Sequence, residues 1–440
     1  MIPLALFAKS KGAHVTGSDL NAENFSALYK EGVYPVKGHG KVPEDTDILV
    51  YSSAVRENNP ELIDATGKNI RTVKRAVFLG EITKDMHSVL ISGSHGKSTT
   101  SVMLADMLNR IEPYNSYAVI GAPSVSTGSG YYKGEGDHIV IEADEYDRSF
   151  LELYPKDLII LNIDNDHMDI YGTVENLKNN FSILTQKLSE RSVLVYNQDD
   201  DNVTEIAQNV KCRKMPYGIN NKTGIWANNI VCSKGITNIE VFCSDRFFTN
   251  LQFCSSGIHN TYNMLAAAAL LYGYGLNPET VKRAAESFRG IKRRMEVVYN
   301  RNGYLLIDDY AHHPTEIKSI LSAVKNDYRG RIIALFQPHL FSRTLNHCEE
   351  FASSFNDADI VMISHIYPAR ETDDGSVKSS VIKDKMNRAE SKKTSVYENF
   401  DDLFEMLEDT AVKGDIIVAL GAGEVNKVLY RFKEKLEAVC

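Results

Sequence analysis

The stretch Ser88-Val89-Leu90-Ile91-Ser92-Gly93-Ser94-His95-Gly96-Lys97-Ser98-Thr99-Thr100 constrains this chain more than any other. Val89, Leu90 and Ile91 form an apolar, β-prone run, a glycine-punctuated turn follows, and Val102 to Leu108 suits a helix. Strand, turn and helix in that order predict a phosphate cradle. Glycines let backbone N–H groups converge on phosphate oxygens, the helix start adds partial positive charge, Lys97 neutralises the outer phosphates, and Ser98 or Thr99 offers a hydroxyl to Mg²⁺. The longer form of this motif has a glycine at position 91, where this chain has Ile, so the compact Gly-x-x-Gly-Lys-Ser-Thr form must carry the site. On this reading Gly93, Ser94, His95, Gly96, Lys97, Ser98 and Thr99 line a nucleotide phosphate site. The bland alternative is a glycine turn before an ordinary helix.

A length of 440 residues leaves room for roughly three domains of about 150 residues each. The net charge of -9 argues against a nucleic-acid surface, so any phosphate site must be a focused pocket. Cysteines 212, 232, 243, 254, 348 and 440 show no C-x-x-C pairing and read as free thiols of a reducing compartment. There is no run of 18 apolar residues to suggest a membrane span. Met1 to Ala8 lacks the basic flank of a signal segment, so the cytoplasm is expected.

Residues 1 to about 86 alternate short patterns: a helix from Leu4 to Lys11, a strand from Ala13 to Thr16 ending in Gly17-Ser18-Asp19, and a strand from Asp47 to Tyr51 ending in Ser52-Ser53-Ala54. This rhythm predicts a small parallel sheet. Ligands in such sheets sit beyond the carboxyl ends of strands, so Asp19, Ser52 and Ser53 are either substrate contacts or polar loop residues. Such a unit ordinarily opens with a strand and a Gly-rich loop, yet this chain begins inside the first helix. The first domain is therefore expected to be truncated, with Ala13–Thr16 short of a neighbour and the Leu4, Leu6 and Phe7 face incompletely covered.

Beyond the phosphate loop, the apolar strands around Ile139–Ile141 and Leu158–Leu161 deliver Glu142 and the run Asp164-Asn165-Asp166-His167-Met168-Asp169 to their ends, where such a sheet places metal ligands. A β-rich stretch from Val193 to Phe253 leads to Gly257-Ile258-His259-Asn260-Thr261-Tyr262-Asn263, which opens an alanine-rich helix. Asn260 and Asn263 share a helical face and either read a purine edge or cap the helix. From about residue 298, strands at Tyr304–Ile307, Ile332–Phe336, Ile360–Ile363 and Ile416–Leu420 end in Asp309-Tyr310-Ala311-His312-His313, Gln337-Pro338-His339-Leu340-Phe341-Ser342-Arg343, Tyr367-Pro368-Ala369-Arg370-Glu371 and Gly421-Ala422-Gly423-Glu424. Four such ends in succession make a binding rim on a doubly wound sheet.

Ser92–Thr100, Glu142-Ala143-Asp144-Glu145, Asp166-His167-Met168-Asp169, His259-Asn260-x-x-Asn263, Arg293-Arg294 and Asp309–Glu316 occur in the order found in the Mur ligases, and the chain resembles that family over almost its whole length. The resemblance implies an α/β fold of three domains. These are an N-terminal Rossmann-like domain for a UDP-sugar (1–86, lacking its first strand and Gly-rich loop), a central P-loop ATPase-type domain (87–297), and a C-terminal Rossmann-like domain for an amino acid (298–440). It implies an ATP-dependent ligase of peptidoglycan precursor synthesis that joins L-alanine to the lactyl carboxylate of UDP-N-acetylmuramic acid through an acyl phosphate, with Mg²⁺ as cofactor, as a monomer or weak homodimer.

By that likeness Lys97 holds the ATP phosphates, Ser98 or Thr99 binds Mg²⁺, and Glu142 and His167 ligate metal. Asn260 and Asn263 contact adenine, Arg294 the phosphates and Asp309 the ribose, while Tyr310, His312, His339 and Arg343 surround the incoming amino acid. Lys97, His167, His312, His339 and Arg343 are the catalytic candidates. The alternatives are a muropeptide-recycling ligase of the same fold, a P-loop kinase or mechanical ATPase, and an ATP-binding protein impaired by the missing front end. A kinase leaves the C-terminal His and Arg rim idle. The recycling relatives resemble Asp-His-Ala-Asp where this chain has Asp166-His167-Met168-Asp169.

Overall fold

A computed structural model describes residues 1–20, 25–165, 168–369, 371–373, 375, 377–386 and 393–438. The chain divides into two compact units. The first holds residues 1–230, 238–253 and 258–289, and the second holds 231–237, 254–257 and 290–440.

In the first unit, helix α1 (Ile2–Ser10) precedes two separate parallel ladders, β1 (Ser18–Asp19) with β2 (Val36–Lys37) and β3 (Ile48–Tyr51) with β4 (Arg71–Lys74). The expected strand at Ala13–Thr16 does not form. Only Val15 in that run is even half-buried, so no apolar face holds it in a sheet, and the ladder starts where the Val36 N–H meets the Gly17 carbonyl. The expectation of an uncovered α1 face is also overturned. Leu4 and Phe7 join the core of the neighbouring sheet beside Leu79, Tyr117 and Val119, while Leu6 packs with Leu28 and Val33 on the other side. The Phe7 ring meets Tyr117 edge-on at 5.4 Å.

That neighbouring sheet contains β5 (His87–Ser92), β6 (Tyr117–Val119), β7 (Tyr131–Tyr132), β8 (His138–Glu142), β9 (Asp157–Ile160), β10 (Val193–Asn197), β11 (Arg213–Gly218), β12 (Ile225–Ser233), β13 (Ile236–Cys243) and β14 (Arg246–Phe253). Its order is β14-β13-β12-β11-β10-β9-β5-β8-β6-β7. The pairs from β6 through β8, β5, β9 and β10 to β11 are parallel. Their sequences explain why: Val89-Leu90-Ile91, Ile139-Val140-Ile141 and Leu158-Ile159-Ile160 are apolar without alternation and are wholly buried, as strands covered on both faces must be. Helix α2 (Lys97–Leu108), buried from Thr100 onward, and helix α3 (Ile258–Gly273), with its small Ala266–Ala269 run, pack together over this sheet. A short helix, α4 (Pro278–Ala285), is capped by the Asn277 side chain.

The second unit is built on β15 (Glu296–Arg301), β16 (Tyr304–Asp309), β17 (Ile332–Phe336), β18 (Ile360–Ile363), β19 (Lys393–Val396) and β20 (Ile416–Leu420), ordered β15-β16-β20-β17-β18-β19. Only β15 runs antiparallel, joined to β16 by Asn302-Gly303, both at positive φ as a tight hairpin turn requires. Helices α5 (Pro314–Asp327) and α6 (Phe341–Asn346) follow the second and third strands. In register, Asp309 and Phe336 both face Leu420, so the expected rim of strand ends forms.

Replacing Phe7 with alanine should lower stability by about 3–5 kcal/mol, the range for deleting a buried aromatic ring. Urea unfolding measures it, and a loss below roughly 1 kcal/mol would mean that α1 is not part of this core.

Candidate active site

The phosphate loop begins where β5 ends at the middle of its sheet, between β8 and β9, a place where α/β sheets bind ligands. Two of its glycines are there for space and for φ. Gly93 sits at φ +142° with Leu161 and Asn162 so close that a Cβ would stand 3.0–3.1 Å from them. Gly96, the N-cap of α2, has φ +84°, and a Cβ there would lie 2.5 Å from Asn263 Oδ1. The loop is also clasped from β9: the His95 N–H donates to Asn162 Oδ1 at 2.7 Å, Asn162 Nδ2 donates to the His95 carbonyl at 3.0 Å, and the Ser94 N–H donates to the Asn162 carbonyl at 3.0 Å. Asp164 receives Ser94 Oγ on its carbonyl and stands 3.4 Å from His95 Nε2.

Lys97 is folded back onto the loop. Its Nζ donates to the carbonyls of Gly93 at 2.8 Å and Ser94 at 3.2 Å, and pairs with Glu145 at 2.7 Å. Burial by itself would lower the Lys97 pKa, but Glu145 and then Asp144 outweigh it, so the ammonium is held above its ordinary value. Burial pushes the Glu145 carboxyl up to about 7 against the pull of Lys97. Ser98 Oγ donates to Glu142 Oε1 at 2.6 Å, and the Gly121 N–H donates to Glu142 Oε2 at 2.8 Å. The structure thus brings together Ser98 and Glu142, two of the three expected metal ligands. They present hard oxygen donors, the chemistry Mg²⁺ takes. The third, His167, lies outside the described residues.

Asn260 and Asn263 are both buried on the first turns of α3, with Asn263 Nδ2 donating to Asn260 Oδ1 at 3.1 Å. They do not cap the helix from outside: Asn263 abuts the phosphate loop at Gly96. Asp19, Ser52 and Ser53 sit at the carboxyl ends of β1 and β3, in two separate ladders.

In the second unit Tyr310, His312, His339 and Arg343 form one cluster. The His312 ring centre lies 5.5 Å from Tyr310 and 5.4 Å from His339, and His339 stacks on Tyr367. His312 Nδ1 lies 3.0 Å from the Tyr310 carbonyl. Burial pushes the His312 pKa down; Glu316 opposes this and Arg343 adds to it. Arg343 Nη1 is buried with no hydrogen-bond partner among the described residues. Arg293 and Arg294 place their guanidiniums 5.0 and 5.3 Å from the Tyr310 ring.

Asp309, expected to face a ribose, has both oxygens engaged inside the unit. The Met295 N–H and the Ala311 N–H each donate to it at 2.7 Å. It holds a turn in which Arg293 and Met295 both adopt positive φ.

Two side chains that hold the loop and Lys97 were not singled out by the sequence. Glu145 was visible as part of an acidic run, but nothing in the run singles out the carboxylate that meets Lys97. Asn162 carried no signal beyond its place at the end of β9.

Three stretches match parts of one family: residues 1–87 its catalytic domain, 91–271 its middle domain and 293–423 its glutamate ligase domain, all described as Mur ligase domains. The UDP-N-acetylmuramate–L-alanine ligase of Caldicellulosiruptor bescii is 37% identical over 433 residues, covering 98% of this chain and 95% of that protein. Its counterpart in Acetivibrio thermocellus is 36% identical over 434 residues, covering 97% and 92%. Among solved structures, UDP-N-acetylmuramate–alanine ligase from Thermotoga maritima superposes with a TM-score of 0.85 at 25% identity, covering 100% of this chain and 97% of that one.

Two outcomes follow from this geometry. Gly96→Ala should weaken ATP binding by roughly tenfold or more without loss of fold, since it adds both a clash and a strained φ. Equilibrium titration of ATP measures it, and wild-type affinity in the variant would show that neither the clash nor the φ carries a cost.

For Asp309, burial raises the folded pKa to about 6 against 3.8, the ordinary value. The folded chain therefore keeps a proton that the unfolded chain releases between those values, so the group's stabilisation is complete below about pH 4 and falls by about 3 kcal/mol as pH rises through about 6. Urea midpoints from pH 4 to 7 should decline less steeply in Asp309→Asn, and an identical slope would exclude Asp309 as the source.

Proposed function

This chain belongs to the Mur ligase family, and from that premise we propose the residues by which it joins L-alanine to UDP-N-acetylmuramic acid, using ATP, in peptidoglycan precursor synthesis. A carboxylate is a poor electrophile, so its oxygen first takes the γ-phosphoryl group of ATP, and the amine of L-alanine then attacks the acyl phosphate. The single observation that carries the assignment is the buried Lys97 ammonium at the mouth of a loop shaped for phosphates, hydrogen-bonded to the Gly93 and Ser94 carbonyls of that loop and paired with Glu145. When nucleotide enters, its phosphate oxygens offer Lys97 a stronger set of partners than the two carbonyls it now holds. The N–H groups of the first turn of α2, at Lys97, Ser98 and Thr99, have no partner four residues back in the helix and point to the same place.

Ser98 and Glu142 would hold Mg²⁺, with His167 as the third ligand carried over from the resemblance. The ion supplies charge neutralisation of the transferring phosphoryl group. Asn260 and Asn263 are assigned to the nucleotide beside the loop, and Arg294 and Asp309 to its phosphates and ribose on the resemblance alone. Asp19, Ser52 and Ser53 are assigned to the UDP-sugar.

In the second unit, the unpartnered Nη1 of Arg343 suits the carboxylate of the incoming amino acid, a planar anion that a guanidinium fork matches. His312, whose pKa burial lowers, is assigned the proton that the amine loses as it becomes a nucleophile, with Tyr310 and His339 shaping its surroundings. A recycling ligase is the weaker reading. The relatives 36–37% identical over nearly the whole chain are alanine ligases, which favours L-alanine over a peptide as the incoming group. No described helix is long and apolar enough to cross a membrane, and the cytoplasm, where ATP is available, is the proposed compartment.

The test is ADP release in the presence of UDP-N-acetylmuramic acid, ATP, Mg²⁺ and L-alanine. Release should depend on both the amino acid and the UDP-sugar, and Lys97→Ala should abolish it with the fold intact. Retention of a tenth or more of the rate by that variant, on the order of what loss of a peripheral contact allows, removes Lys97 from the mechanism.

A further inference from the structure

Helix α2 carries the phosphate loop at its start, and its other end borders an open cleft of about 470 Å³. The walls come from two segments. Arg110 stands just beyond Leu108, the last residue of α2, while Thr280, Arg283, Glu286, Ser287 and Arg289 come from α4 and the residues after it. Three guanidiniums thus face the cleft against one lining carboxylate, Glu286. Among the described residues Arg283 pairs only with Glu279, one helical turn away at 3.9 Å, and both of those side chains are largely exposed. Neither Arg110 nor Arg289 has a carboxylate within ion-pair distance among the described residues.

Arg110 and Arg289 line the same cleft although they come from different segments, and the buried carboxyl of Asp106 feels the charge of both. That carboxylate does not neutralise them at close range. Its Oδ1 is taken by Ser126 at 2.8 Å and Tyr132 at 2.7 Å inside the protein. In a chain with a net charge of -9, three mutually repelling cations gathered at one cleft are a focus of positive potential. Ser287 Oγ approaches the Asp106 carbonyl at 3.5 Å, so the two walls meet at the cleft floor.

We propose that this cleft binds a diphosphate-bearing small molecule, bridging Arg110 at the end of α2 to Arg283 and Arg289 on and after α4. The volume falls in the range of small-molecule sites. Guanidinium forks pair with phosphate oxygens two at a time, a geometry that lysines do not offer, and two linked phosphates span cations from two walls where one does not.

The probe is inorganic pyrophosphate, titrated calorimetrically into the full chain with its phosphate loop already saturated by a non-hydrolysable ATP analogue. One site per chain is expected, weakened about tenfold or more in Arg110→Gln/Arg289→Gln and unchanged in Lys282→Gln, which removes a positive charge from α4 outside the cleft. Thermal melts establish that each variant is folded. Should the double variant not fold, Arg110→Gln and Arg289→Gln are titrated singly, each expected to weaken binding. Absence of binding heat, binding unaltered by the arginine changes, or equal weakening in Lys282→Gln overturns the proposal.

Discussion

A buried ammonium facing a buried carboxylate is the constraint around which the first unit is arranged. Taking Lys97 and Glu145 out of water costs several kcal/mol per ion, and their attraction offsets this only if the remaining donors and acceptors are also satisfied. The loop carbonyls of Gly93 and Ser94 do that for Lys97. Holding those carbonyls in place is in turn the work of Asn162, and Asn162 is placed by β9, the strand beside β5. The order of the parallel sheet and the posture of one lysine are therefore the same fact at two scales. A phosphate that binds here must compete with Glu145 for Lys97.

The parallel sheets were legible because strands covered on both faces leave an uninterrupted apolar record, as at Val89–Ile91, Leu158–Ile160 and Ile332–Phe336. The phosphate loop was legible because glycine is the one residue that adopts its φ and admits its neighbours, as Gly96 does against Asn263. The front of the chain was misread for the complementary reason. Ala13–Thr16 has β-prone residues but no buried face, and the packing of α1 depends on Tyr117 and Leu79, residues no local window contains. Partners such as Glu145 and Asn162 were hidden because pairing across a loop is a tertiary property, invisible to spacing.

The second unit solves a different problem with similar means. The turn before β15 runs through positive φ at Arg293 and Met295, an arrangement that costs free energy for residues with side chains. Asp309 fastens it from β16 by accepting the Met295 N–H, and Glu296 accepts the Arg293 N–H. The strained turn sets two guanidiniums beside Tyr310, so the orientation of this rim rests on one buried carboxylate, Asp309, and one partly exposed, Glu296. Two side chains assigned by likeness to ligands, Asp309 and Asn263, are first of all parts of the frame.

The burial of α1 against Tyr117 has a consequence for biosynthesis. Translation proceeds from the amino end at roughly 5–20 residues per second, so Phe7 emerges long before the strands that cover it exist. During that interval the Leu4 and Phe7 side chains have no native surface to rest on. The opening segment must wait for β6 and β8 to be made and paired, which reverses the usual amino-to-carboxyl sequence of events for this part of the molecule. Until then its hydrophobic face stays uncovered in the nascent chain, and the sheet that finally covers it is the one that carries the phosphate loop.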